Sequence, residues 1–333
     1  MEFHALRSED EALERLAELG DDARILAGGT DLVPNMKHEL FTPEVVVALS
    51  GIEELRGMRA TGAGLAIGAM TTLDELSSSA ELRAAAPVLA QAAGLVAGPQ
   101  LRRMGTLGGN VMLDTRCQWY NQTYFWREAL GFCLKKDGAL CHVVAGGQKC
   151  VAAASNDTAP ALMSLGATLV FAGPAGRREL PIDALWQTDG IWNKKAGRGE
   201  LLVEVKIPRQ AEGHRGAYGK LRDRGSIDFP LLGVAARLDV GPDGRIADAD
   251  VVVVALQARP HRVPRAREEL AGLAPDGPAF DEGLERVAAE AKKRCRPLAN
   301  VPGDADYRQR MVPVLVRRTL RAAAVGTGPV HGV

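Results

Sequence analysis

Apolar residues first recur at helical spacing. Ala12, Leu13, Leu16 and Leu19 follow Ser8-Glu9-Asp10-Glu11, a capping-box pattern, and predict a helix that stops at Gly20. The pattern then changes to short continuous runs. Residues 23–27, 45–49 and 65–68 predict strands, the first short and buried and leading straight into Gly28-Gly29-Thr30-Asp31. Thr72-Leu73-Asp74-Glu75 repeats the capping-box pattern, and the Ala-rich run 87–96 predicts a helix with Pro87 in its first turn. A helix is predicted at 157–165 and strands at 167–171 and 201–207, the last stopped by Pro208. Residues 210–216 are polar and contain glycine, and mark a boundary. Beyond them come strands at 217–221, 232–238 and 250–255, then helices at 265–270, 281–291 and 307–324. Strands followed by helices indicate an α+β domain. No repeat of fixed period is present.

These shifts divide the chain into an N-terminal α/β segment (1–56), a second segment (57–212) and a C-terminal α+β domain (213–333). Within the second, residues 112–152 lack clear periodicity. They hold six of the 15 aromatic residues and four of the five cysteines, enough for a small core of their own, and read as a structured insertion.

Charge narrows the function classes. Lys and Arg total 41 and so do Asp and Glu, so no global field draws the chain to nucleic acid or acidic lipid. No apolar run approaches a membrane span, and the start has no apolar stretch like that of a secretion signal. The expectation is a cytoplasmic protein without membrane or nucleic-acid partners. In a reducing compartment, clustered cysteines point to metal or redox chemistry rather than disulfides. Cys117, Cys133, Cys141 and Cys150 include no C-x-x-C, which excludes a zinc knuckle or a ferredoxin run. Four thiolates could hold zinc or a [4Fe–4S] cluster, or they could be unrelated packed thiols. Cys295 lies apart and is expected to be a packed thiol.

Two glycine clusters carry the other chemistry. Gly28-Gly29-Thr30 follows a predicted strand, and consecutive glycines let the backbone turn and approach a ligand closely. Amides pointing into one concavity suit a phosphate. Gly105-Thr106-Leu107-Gly108-Gly109-Asn110 offers the same materials. Neither matches G-x-G-x-x-G, so a Rossmann site is not supported, and each alone could be an ordinary turn.

Residues 26–32 and 102–110 resemble the two FAD loops of the xanthine dehydrogenase and carbon monoxide dehydrogenase flavoproteins, in sequence, order and separation. Ser155-Asn156-Asp157-Thr158-Ala159-Pro160 is similar to that family's nucleotide-touching segment. Tyr218-Gly219-Lys220, with Arg224 and Asp228, resembles the opening of its third domain, and Tyr307-Arg308 with 314–318 its closing helix. The resemblance implies an FAD-binding fold of the vanillyl-alcohol oxidase and molybdenum hydroxylase flavoprotein type: two α/β FAD-binding subdomains plus a C-terminal α+β domain with an antiparallel sheet. It implies that Leu26, Ala27, Gly28, Gly29, Thr30, Asp31 and Leu32, with Arg102, Thr106, Gly108, Gly109 and Asn110, cradle FAD. It further implies that Asp157 bonds the nucleotide half and that Lys220 lies near the flavin ring.

The insertion resembles one branch, the 4-hydroxybenzoyl-CoA reductases, in Asp114-Thr115-Arg116-Cys117, in 120–124, and in Lys135-Lys136-Asp137-Gly138 through Cys141-His142-Val143. That resemblance implies that Cys117, Cys133, Cys141 and Cys150 bind an extra [4Fe–4S] cluster, with His142 outside the ligand set. It implies an electron-transfer oxidoreductase subunit in a heterohexamer with a molybdenum-cofactor large subunit and a [2Fe–2S] small subunit. A ferredoxin-like donor would supply electrons for reductive dehydroxylation to benzoyl-CoA in aromatic degradation. The alternative is the FAD subunit of an oxidative relative acting on carbon monoxide, nicotinate or xanthine. No catalytic acid, base or nucleophile is assignable in this chain.

Overall fold

A computed structural model describes residues 1–197 and 199–331. Residues 198, 332 and 333, which fall in the expected second and third segments, lie outside the described residues.

The first 56 residues form a three-stranded parallel sheet in the order β1 (Glu2–Ala5), β3 (Val45–Ala48), β2 (Ala23–Leu26). The central strand, Val-Val-Val-Ala, is buried throughout, as a strand covered on both faces must be. Helix Glu9–Leu19 joins β1 to β2. It is capped by Ser8, whose hydroxyl accepts from the Glu11 amide, and it ends where Gly20 adopts φ +53°. β2 is an edge strand on which only Ala23 is buried, so the expectation of a buried strand at 23–27 is corrected. β1 carries no apolar run because it too is an edge strand, held to β3 by backbone hydrogen bonds.

An antiparallel sheet follows, ordered β4 (Met58–Thr61), β5 (Gly64–Gly68), β8 (Leu201–Pro208), β6 (Thr168–Gly173), β7 (Gly176–Pro181). Its apolar face packs on helices Leu73–Ser78, Pro87–Gly94 and Thr158–Ser164. The capping box at Thr72 and Glu75 forms in both directions.

The third sheet runs β12 (His261–Arg262), β11 (Ile246–Val254), β10 (Leu232–Val240), β9 (His214–Leu221), β13 (Val330–His331). Side chains alternate between two cores with strand periodicity. Ala217, Val234, Ala236, Val251 and Val253 face helices Gly277–Arg294 and Ala305–Val325. Tyr218, Ala235 and Val252 join the core of the preceding domain. Burial on both faces explains why β9 to β11 read as continuous apolar runs. In helix Ala305–Val325, fully buried Arg308 donates to the carbonyls of Leu231, Leu298 and Ala255 and ties the helix to strand ends.

The insertion leaves and rejoins the second domain through an antiparallel bridge between Arg116 and Ala153. Its one helix, Tyr124–Ala129, is capped by Thr123. It is anchored to the first subdomain where Tyr120 and Cys133 pack on Leu40, and where buried Arg127 donates to the Glu39 carbonyl at 3.0 Å. Among the described residues no helix is long and apolar enough to cross a membrane.

Candidate functional site

β2 delivers its C-terminal end into residues 27–31, beyond the carboxyl edge of a parallel sheet, where ligands of α/β proteins bind. Gly29 turns the chain with φ +71°. Among the described residues, the amides of Gly28, Gly29, Thr30, Asp31 and Leu32 donate no hydrogen bond to the protein. Five consecutive free N–H groups leading into a helix, Leu32–Lys37, are the materials of an anion-binding concavity. Gly28, Gly29, Asp31 and Leu32 are half-buried and Thr30 is exposed, so the concavity faces outward.

The second cluster meets the first. A Cβ on Gly28 would lie 1.8 Å from the Met104 carbonyl oxygen, so only glycine allows the two backbones to touch. The amides of the second cluster are turned to the protein. Leu107 donates to the Thr71 carbonyl, Gly108 to that of Ala69, Gly109 to the Thr106 hydroxyl and Asn110 to the Thr106 carbonyl. The Asn110 side chain accepts from the Thr158 amide and hydroxyl. Arg102 donates to the Val96 carbonyl at 2.9 Å. Thr106, Gly108, Gly109, Asn110 and Arg102 thus brace the concavity. Among the described residues, the Thr106 amide of this cluster has no protein acceptor.

Asp157 and Lys220 come together in the interior. The Lys220 ammonium donates to Asp157 Oδ2 at 2.9 Å and to the Leu95 carbonyl at 3.0 Å, and the Tyr218 hydroxyl donates to Asp157 Oδ1 at 2.8 Å. Both charged side chains are buried. Burial raises the Asp157 pKa and lowers that of Lys220, each opposed by the other's charge. The pair fastens the C-terminal sheet to the helix that follows Asp157. Asp157→Asn would leave the ammonium without a counter-charge. The expected cost is about 3–5 kcal/mol of stability, read as a lower denaturant midpoint. A cost under about 1 kcal/mol would show that the pair carries no such load.

The insertion brings its four cysteines to one place. Cys117, Cys133, Cys141 and Cys150 line a single small cavity with Trp119, Tyr120 and His142. None is disulfide-bonded. Burial pushes the Cys117 thiol up to about 12 and Cys150 to about 11, and each of them also feels the charge of other thiols of the set. Thiols buried in this way stay protonated unless a positive centre favours the thiolate, as Lys135 does at Cys150. Among the described residues, no group of three or more His, Cys, Asp or Glu side chains is placed to hold a metal ion. A lone ion needs its sulfurs about 2.3 Å from one point. An iron–sulfur cube takes one thiolate at each of four corners. Phe132 (φ +59°) and Asp137 (φ +63°), non-glycine residues in the left-handed region, bracket Cys133, the kind of local strain that collects at functional sites. His142 Nε2 lies 2.6 Å from the Phe132 carbonyl oxygen and its ring packs on Trp119. Cys295 is buried in the C-terminal core as a packed thiol.

A charged bridge links cavity and concavity. Arg116, beside Cys117, pairs with Asp31 at 3.0 Å and lies over the Phe229 ring at 3.9 Å. Buried Lys194 donates to the Leu113 carbonyl and to Asn193, and burial lowers its pKa to about 7. Lys194 was not legible in the sequence: a lysine beside Asn193 and Trp192 belongs to no periodic run.

Comparison with known proteins agrees with this architecture. The sequence profile described as "FAD binding domain in molybdopterin dehydrogenase" matches residues 1–210, and that of the "CO dehydrogenase flavoprotein C-terminal domain" matches 216–323. The carbon monoxide dehydrogenase medium chain of Hydrogenophaga pseudoflava is 32% identical over 97% of this chain and 96% of its own length. The nicotine 6-hydroxylase medium subunit of Paenarthrobacter nicotinovorans is 27% identical over 94% and 93%. Among solved structures, reconstituted CO dehydrogenase from Oligotropha carboxidovorans superposes with a TM-score of 0.80 at 30% identity, covering 98% of each chain. Quinoline 2-oxidoreductase from Pseudomonas putida 86 gives 0.76 at 25%, covering 98% and 97%.

Proposed function

Because this chain belongs to the FAD-binding medium subunits of the xanthine dehydrogenase and CO dehydrogenase flavoprotein family, and is thus an oxidoreductase subunit of the molybdenum hydroxylase type, we propose that it is the electron-transfer subunit of a 4-hydroxybenzoyl-CoA reductase, carrying FAD and a [4Fe–4S] cluster. The observation that carries the reading is the meeting of Cys117, Cys133, Cys141 and Cys150 at one cavity. The donor chemistry of the residues present supports the reading for both groups. The free amides of 28–32 would hold the pyrophosphate of FAD, and the four thiols, two buried and two half-buried, would hold the cluster. Bound together they would supply one-electron exchange at the iron and one- or two-electron exchange at the flavin. The chain's own part is to fix their positions and limit water around the sulfurs with Trp119, Tyr120 and His142. In this reading its partners are a large subunit with the molybdenum cofactor, a small subunit with [2Fe–2S] clusters, together a heterohexamer, and a ferredoxin-like donor. The bond-breaking chemistry lies in the large subunit.

A second reading has a specific support. The relatives bear names of oxidative enzymes, among them CO dehydrogenase, nicotine 6-hydroxylase and xanthine dehydrogenase. By that analogy electrons would leave through FAD. The purified complex separates the two. With a strong low-potential reductant and 4-hydroxybenzoyl-CoA, the first reading expects benzoyl-CoA and water. If no benzoyl-CoA forms, while carbon monoxide, a nicotine-type heterocycle or xanthine reduces an added dye, the oxidative reading stands in its place.

A further inference from the structure

Lys135 combines two properties seldom found together: it lines the four-cysteine cavity and it is almost enclosed, with a side chain 3% exposed. Its ammonium is held in one position. It donates to Asp114 Oδ1 at 2.9 Å, the Thr115 hydroxyl at 2.8 Å and the Gly190 carbonyl at 2.6 Å, and it lies 4.8 Å from the centre of the Tyr120 ring. Its partner Asp114 does not line the cavity, and its charge acts on Asp31 and Arg116 as well as on Tyr120 of the cavity wall. The ammonium is tied to Gly190, whose own amide donates to the Cys150 carbonyl at 2.8 Å, so the positive charge lies next to the Cys150 segment of the cavity wall. Other charges nearby do not share that place. Arg116 is paired to Asp31, Lys194 is bonded to Leu113 and Asn193, and the His142 Nε2 is turned to the Phe132 carbonyl.

We infer that Lys135 is a fixed positive charge that raises the reduction potential of a cluster held by the four cysteines, an inference that rests on the cluster reading above. A cluster with four thiolates is negative and becomes more so on reduction. A buried cation at the sulfurs stabilises the reduced state more than the oxidised one, and an enclosed site screens little of that difference. Lys135 is a positioning and tuning residue, not a catalytic one.

The test is an EPR-monitored redox titration of the intact complex, with iron and FAD counted in each preparation. Lys135→Met is expected to keep its iron and FAD and to shift the cluster signal to more negative potential, while Lys135→Arg stays near the wild type. Asp114→Asn, which removes the opposing charge, is expected to shift it the other way. Wild-type complex without the extra iron would overturn the cluster reading itself. Iron present with the potential unmoved in both Lys135→Met and Asp114→Asn would overturn the tuning role alone. Loss of the cluster in both variants would also overturn it, in favour of an architectural role.

Discussion

Gly29→Glu is expected to reduce bound FAD from stoichiometric to near zero while leaving cysteine-bound iron in place. Two effects add. Gly29 holds φ +71°, where a residue with a side chain costs about 1–2 kcal/mol. The larger effect is electrostatic. A carboxylate about 4 Å from one phosphate charge is repelled by roughly 4 kcal/mol at a surface-like dielectric of about 20. That alone is close to a thousand-fold in affinity. The measurement is flavin released per chain, by absorbance after denaturation. Full FAD content in a folded variant would remove the amide concavity from the account. Gly28→Ala probes a different property. Its Cβ would meet the Met104 carbonyl at 1.8 Å, so the two loops must part, and both FAD content and stability are expected to fall.

Cys133→Ser is the second large effect. Cys133 is 8% exposed and sits between the strained backbones of Phe132 and Asp137, so the serine cannot be carried elsewhere by a flexible loop. A hydroxyl is a poor substitute for a thiolate at iron, and iron is expected to fall by about four atoms per chain, one cluster's worth. FAD is expected to remain, because the amides at 28–32 do not depend on the sulfurs. Iron lost together with FAD would mean that cavity and concavity form one cooperative unit. FAD lost with iron intact would contradict the assignment.

Much of this was legible in the sequence, and the reasons differ by element. Helix Glu9–Leu19 and the box at Thr72 were plain because capping chemistry and apolar period coincide. The strands β9 to β11 were plain because both faces are buried, leaving long apolar runs. β1 and β7 were not, because edge strands are held by backbone bonds and show mostly polar side chains. The glycine clusters were legible as ligand loops, but not their division of labour. Which amides stay free depends on the Ala69 and Thr71 carbonyls, far off in sequence and unmarked by residue type. The burial of Asp157 against Lys220 was hidden for the same reason: a pair 63 positions apart has no local signature. The four cysteines were conspicuous, but spacing alone left zinc, iron and packed thiols open; that they line one cavity was not legible, because their separations of 8 to 16 residues have no local signature.

In the proposed reading, one polypeptide would hold a flavin on a row of free amides and an iron cluster on four sulfurs. Combined flavin, iron and acid-labile sulfide analysis of the purified chain, with spectra before and after reduction, tests it most directly. Stoichiometric FAD with about four irons and as many sulfides per chain is expected, with a reduced-state EPR signal that Cys133→Ser abolishes. FAD with zinc or no metal in place of iron, and no such signal, would contradict it.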